Sequence, residues 1–203
     1  RVLLHFGDSE PGEEFVDLAP SLCKGSDMIS AGAPDEIQIG LKYNANDMLS
    51  STFTIGVYLS TDPAISTNDI KVGQMEISNL QPNTTTNFDV DIVIPAEVDG
   101  SNSYYWGFIA DENEEIYEYN ESNNIITGNI VNVNPVVDFV TPLGGESWSI
   151  GELVTISWST LGGPLDQVDL FISRDNGNNW TPISEYTYNG NGNYTWQVSC
   201  SAA

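Results

Sequence analysis

Positive charge is what this chain has least of: five Lys+Arg stand against 29 Asp+Glu, for a formal charge of −24. Phosphate backbones and anionic membranes bind by releasing counterions to protein cations, so neither nucleic acid nor membrane insertion is expected. Histidine is present only as His5, which excludes the paired-histidine zinc hydrolase motifs and leaves little for a transition metal. The two cysteines, Cys23 and Cys200, lack the neighbours a structural zinc site needs. They form a disulfide if the ends meet in an oxidising compartment, or stay as two free thiols. No apolar run approaches the roughly 18 residues of a membrane helix, and Arg1–Phe6 is too short for a signal-peptide core. Helical periodicity is nearly absent as well.

What the chain has is period-two alternation interrupted by turn residues. Ile37, Ile39, Leu41 and Tyr43 share one face of 36–43, and Phe53, Ile55, Val57 and Leu59 share one face of 52–60, which predicts two strands that pair in one sheet. Further strands are predicted at 73–77, 87–94, 104–110, 116–119 and 125–133, separated by Asp-Pro, Gln-Pro-Asn and Asp-Gly signals. So many short strands in about a hundred residues predict a sandwich. After Asn134-Pro135 the pattern restarts with Val136–Val140 and continues through Val154/Ile156/Trp158, Val168/Leu170/Ile172 and Tyr194/Trp196/Val198. The expected organisation is a segment 1–14 left from a preceding region or forming a first strand, a β-sandwich at 15–134 and a second at 135–203. That second part is short for a sandwich, so a closing strand is expected beyond Ala203 or from the first domain. The class is all-β, with two tandem Ig-like or fibronectin-III-like sandwiches. Beginning and ending in mid-pattern, the chain reads as an internal piece of a longer protein.

Specific motifs sharpen this. Val16-Asp-Leu18, Val57-Tyr-Leu-Ser-Thr-Asp62, Asn68-Asp-Ile70, Ile109-Ala-Asp111 and Glu118-Tyr-Asn-Glu-Ser-Asn-Asn124 resemble the CARDB module, the cell-adhesion-related domain found in bacteria. The resemblance covers residues from about 15 to 133. It implies an Ig-like sandwich carried beside catalytic or adhesive domains of secreted and surface proteins, with no catalytic residues to transfer. Gly144-Gly-Glu-Ser-Trp148 followed by Ile156-Ser-Trp158 is similar to a second kind of secreted Ig-like module. Ser173-Arg-Asp-Asn-Gly-Asn-Asn-Trp180 resembles an Asp-box hairpin, with Asn179 where Thr is usual. There the Asp stabilises the turn and the Trp packs beneath it, a structural role that does not make the chain a sialidase.

Catalytic constellations fare poorly. Gly7-Asp8-Ser9 after an apolar start imitates a hydrolase nucleophile turn, but His5 stands about 13 Å from Ser9 along an extended strand and no downstream base exists. A carboxylate pair for glycoside cleavage would have to face across about 5 to 10 Å, which spacing alone does not provide. Calcium is the sharper expectation, and the candidate ligands are Asp111, Asn113, Glu115 and Glu118, with Asp62 and Asp69 as a second loop. An EF-hand is excluded, because Ile116 takes the glycine position and Ser122 the final acid. Turn chemistry explains the same acids equally well.

Among aromatics, the alternation of Trp106, Trp148, Trp158 and Trp196 predicts core positions. That leaves Trp180 and tyrosines such as Tyr105, Tyr117, Tyr119, Tyr186 and Tyr188 for recognition of a sugar face. The expected function is a non-catalytic spacer and adhesion region of a larger secreted or cell-surface bacterial protein, beside a hydrolase or adhesin domain. Its expected partners are neighbouring domains, a polysaccharide or a surface protein. The alternative is direct carbohydrate or calcium binding, with Trp180, Tyr117 and Tyr119 as ligand contacts and Ca2+ as the ion.

Overall fold

A computed structural model describes residues 15–163, 165, 167–183 and 192–200. The segment 1–14, with His5 and Ser9, and the tyrosines 186 and 188 lie outside the described residues. Among those described there is no helix, in keeping with the all-β class. The strands are β1 Val16–Lys24, β2 Met28–Ser30, β3 Pro34–Ala45, β4 Phe53–Ser60, β5 Ile70–Ile77, β6 Thr84–Val93, β7 Ser103–Ile109, β8 Ile125–Asn134, β9 Val136–Thr141, β10 Leu153–Leu161, β11 Phe171–Ile172, β12 Thr181–Pro182 and β13 Gly192–Gln197. They form sheets ordered β1-β3-β6, β2-β8-β7-β4-β5, β13-β10-β9 and β11-β12.

The chain divides into two compact units. The first holds the described residues through 27 together with 34–93 and 104–131, and the second holds 28–33, 94–103 and 132 onward. In the first unit, strand alternation becomes a core. Ile37, Ile39 and Leu41 of β3, Phe53, Ile55, Val57 and Leu59 of β4, and Trp106 and Phe108 of β7 are all fully buried. Burying side chains of this size stabilises the fold by about 1.5 to 3 kcal/mol each before conformational entropy is charged.

The expected pairing of the first two predicted strands is corrected by the topology. β3 pairs with β1 and β6, whereas β4 pairs with β5 and β7, so the two lie in different sheets. Each needs an apolar face turned inward, and alternation alone does not say whether two such faces lie side by side or in opposing layers. The predicted strand at 116–119 is also absent, for reasons given below. β1 was not foreseen as a strand: Pro20 interrupts it at a register shift, and a sheet-edge position tolerates the missing amide donor.

Between β1 and β2 the chain passes directly over a buried ring. Trp106 donates its indole N–H to the Ser26 carbonyl at 2.9 Å. Asn129 brackets Gly25 from the side, its carboxamide accepting from the Gly25 amide and donating to the Gly25 carbonyl, both at 3.1 Å. A Cβ on Gly25 would stand 2.5 Å from the Trp106 ring, too close for any side chain.

In the second unit, β10 is central, with β9 and β13 antiparallel on either side. One core cluster of the unit is formed by Val154, Ile156, Trp158, Val168, Leu170 and Trp196. The segment 94–103 joins this unit through backbone bonds from Gly100 to the Gly162 carbonyl at 2.7 Å and from Gly162 to the Ala96 carbonyl at 3.3 Å. The strand expected through Val168–Ile172 is reduced to Phe171–Ile172, paired with Thr181–Pro182.

Gly25→Ala is expected to lower stability by about 1–3 kcal/mol through overpacking against Trp106. Urea unfolding followed by tryptophan fluorescence measures it.

Candidate functional site

Two places concentrate chemistry-bearing side chains: the acidic return after β7, and an aromatic groove in the second unit. The return, residues 111–124, is irregular because its own carboxylates replace strand pairing. Asp111, with φ of 48°, is left-handed. It accepts the Glu115 and Ile116 amides on Oδ1 and Oδ2, both at 2.8 Å. Such side-chain bonds compete with a ladder, which is why 116–119 does not form the predicted strand. Glu115 Oε2 accepts the Thr54 amide of β4 at 2.7 Å.

Glu118 is buried, at 3% exposure. It accepts the Leu18 amide of β1 on Oε2 in a very short bond, and the Asn124 carboxamide on Oε1 at 2.8 Å. Tyr119 donates its amide to the Val16 carbonyl at 2.8 Å, so the return is fastened to β1 at two points. Asp17 of β1 accepts Asn44 at 2.8 Å and Asn123 at 3.0 Å. Among the described residues, Oδ1 of Asn123 and Oδ1 of Asn124 are buried without a hydrogen-bond partner.

Burial pushes the Glu118 carboxyl up to about 7; the bonds from Leu18 and Asn124 oppose this, and the charges of Glu121 and Asp111 add to it. On the outer face of the β4–β7 pair, Glu112 accepts the Tyr58 hydroxyl in a very short bond and pairs with Lys71 at 2.7 Å. Burial first, and then the Glu112 carboxylate, raise the Tyr58 phenol. Burial likewise pushes the Cys23 thiol up to about 12, and both cysteines are free thiols.

The expected calcium ligands are thus dispersed into backbone duties. Asp111 and Glu118 are buried acceptors, Glu115 serves β4, and Asn113 is exposed. Asp62 caps the Ala64 amide and Asp69 the Ser66 amide, each at 2.7 Å, in separate local turns. No group of three or more His, Cys, Asp or Glu among the described residues is arranged to hold a metal ion. Tyr117 and Tyr119 are 87% and 79% exposed, and Tyr119 leans on Phe15 at 5.0 Å between ring centroids.

Trp180 has a different setting. In the Asp-box-like hairpin Asp175 accepts the Asn179 amide at 2.8 Å and its carboxamide at 2.5 Å, so Asn179 supplies a donor where Thr is usual. These bonds hold the Asp175 carboxyl below the ordinary range, the Asn179 carboxamide contributing most. The turn needs left-handed backbone at Asn176 and Gly177, and Trp180 donates its indole N–H to the Gly177 carbonyl at 3.1 Å. The ring, 62% exposed, is therefore fixed on a rigid hairpin.

It lines a groove of about 540 Å³ with Phe139, Pro142, Trp148, Phe171 and Ile183, together with the buried Ile156, Leu170 and Trp196. Trp148 is corrected from a core position: it lies in an irregular segment at 39% exposure and meets Trp196 edge-on, at 6.1 Å and 82°. Phe139 and Phe171 were missed by the sequence reading. Phe171 had a signal, an exposed aromatic between the buried Leu170 and the half-buried Ile172, whereas Phe139 lies between the exposed Asp138 and Val140 and had none. Asp169, the one charged residue of the lining, accepts Gln167 at 3.1 Å.

A family profile described as CARDB matches residues 20–128. No curated protein matches. Among solved structures, the CARDB domain of a Pyrococcus furiosus protein, determined in complex with di-metal ions, is 24% identical with a TM-score of 0.44, covering 60% of this chain and 96% of that one. A solution structure of the same domain gives 23%, 0.43, 59% and 96%. A β-glucosidase from Listeria innocua in complex with glucose is 9% identical, with a TM-score of 0.35, covering 60% of this chain and 16% of that one.

Glu118→Ala is expected to cost about 2–5 kcal/mol, because it strands the Leu18 and Asn124 donors in the interior, whereas Tyr117→Ala stays within about 0.5 kcal/mol. Denaturant titration of both variants checks this. The raised carboxyl also sets a sign. The folded state keeps the Glu118 proton to a higher pH than the unfolded chain, so this group's contribution is complete below its ordinary value of 4.5 and is lost as pH rises toward about 7. The stability difference between the wild type and Glu118→Gln is expected to move against the wild type across that window, as measured by melts at successive pH values.

Proposed function

The chain belongs to the CARDB family, and from that premise we propose that it is a non-catalytic, adhesion-related accessory region of a larger secreted or cell-surface bacterial protein. The match over residues 20–128 carries the reading. The arrangement of the acids supports it, since both oxygens of Asp111 and one of Glu115 accept backbone amides, and Glu118 accepts the Leu18 amide and the Asn124 carboxamide.

A spacer must resist unfolding and must not aggregate through its sheet edges. β6 is an edge of its sheet and turns Asp89 and Asp91 outward, charges that discourage strand addition by a stranger. The large negative charge favours solubility of such a body. Residues 135–203 act in this reading as a second Ig-like module, supported by the antiparallel β9, β10 and β13 and their tryptophan-rich core. Together the two modules hold neighbouring domains of the parent protein at a distance and present loops for attachment.

A fluorescent reporter fused to residues 1–203 is expected to stay on bacterial envelopes or extracellular polymer through washes that remove the reporter alone. The same chain is expected to leave peptide, ester and glycoside substrates intact. Loss of the reporter from every surface tested would contradict adhesion. Hydrolysis abolished by one carboxylate-to-amide change would contradict the non-catalytic reading.

A further inference from the structure

The aromatic groove of the second unit lies outside residues 20–128, so its chemistry is independent of the family reading. We propose that it binds a soft organic cation, a quaternary or alkylated ammonium group carried on a larger apolar body. Five aromatic side chains line it: Phe139, Trp148, Phe171, Trp180 and Trp196. The Trp148 and Trp196 rings meet edge to face, at 82° and 6.1 Å between centroids. The exposed faces of Trp148 and Trp180 carry negative π charge, which attracts a compact positive group.

Charge points the same way. The lining contains one carboxylate, Asp169, and neither lysine nor arginine. The chain around it carries −24. A cation gains from both the local carboxylate and the general field, and an anionic ligand such as a uronate or phosphate polymer is repelled by both.

Neutral sugar fits the lining less well. Each pyranose brings several hydroxyls, while Asp169 is the one lining side chain with acceptor oxygens, it is already bonded to Gln167, and the Trp180 indole N–H is given to the Gly177 carbonyl. The remaining hydroxyls would lose water without gaining partners, at about 1–3 kcal/mol each, whereas the methyl groups of an alkylammonium ion need none. The rings are also set before a ligand arrives. The Asp175 hairpin and the indole bond to Gly177 hold Trp180, and packing on Trp196 holds Trp148, so little ordering is needed on binding. The volume of about 540 Å³ exceeds an ammonium headgroup and leaves room for the body that bears it.

The test titrates the chain with choline and, separately, with 3,3-dimethylbutan-1-ol, its uncharged isostere, following tryptophan emission and heat. Choline is expected to bind at least tenfold more tightly than the alcohol. Trp180→Ala is expected to weaken choline at least tenfold, and the surface change Asp169→Asn severalfold without altering the melting temperature. Equal binding of both probes would mean an apolar groove indifferent to charge, and overturns the proposal. So does binding of neither probe, or saturation by a neutral gluco-oligosaccharide while choline fails.

Discussion

The first unit depends on a buried carboxylate, Glu118, held between a backbone amide and a carboxamide. β1 is an edge strand broken by Pro20, and the return after β7 has no ladder of its own. Glu118 joins these two weak places, its carboxylate accepting the Leu18 amide of one and the Asn124 side chain of the other. Hydrogen bonds to a charged acceptor are among the stronger ones available, yet burial works against the charge they need. The carboxyl sits between those demands, pushed up to about 7. Asp111 does the same work at the start of the return, with both oxygens taken by amides and a backbone conformation that favours an Asp or Asn.

This division of labour explains how so acidic a chain builds ordinary sheets. A few carboxylates are drawn inward to close turns, as at Asp111 and Glu118, or to fasten an outer cluster, as Glu112 does with Tyr58 and Lys71. The others stand in solvent, as Asp89 and Asp91 do on β6. Acids consumed in this way are poor candidates for chemistry, since a general acid or base must present its oxygens to a substrate.

Much of the first core was legible because Ile37, Ile39, Leu41 and Tyr43 are buried in alternation along β3, broken only at Gly40, whereas β4 is buried on both faces, which alternation did not show. What alternation left open was which sheet each strand joins, a question settled by distant partners such as Phe88 opposite Ile39 and Phe108 opposite Val57. The return at 111–124 was legible as turn-rich but not as a clamp, because its partners Leu18, Thr54 and Asp17 lie far away in sequence. In the second unit Trp158 and Trp196 follow the pattern into the core. Trp148 does not, since its spacing imitates a strand that the Gly144-Gly145 segment never forms. The groove was half visible: Trp180 stood out on its hairpin, whereas Phe139 and Phe171 were hidden among strand neighbours of the same apolar character.

Amide hydrogen exchange at single-residue resolution tests the central claim most directly. If buried carboxylates serve as the backbone's missing partners, the amides of Leu18 and Ile116 exchange as slowly as those of Ile39 and Val57 in the central strands, opening only with global unfolding. Exchange at those two positions at the rate of an exposed loop, with the strands still protected, would contradict it.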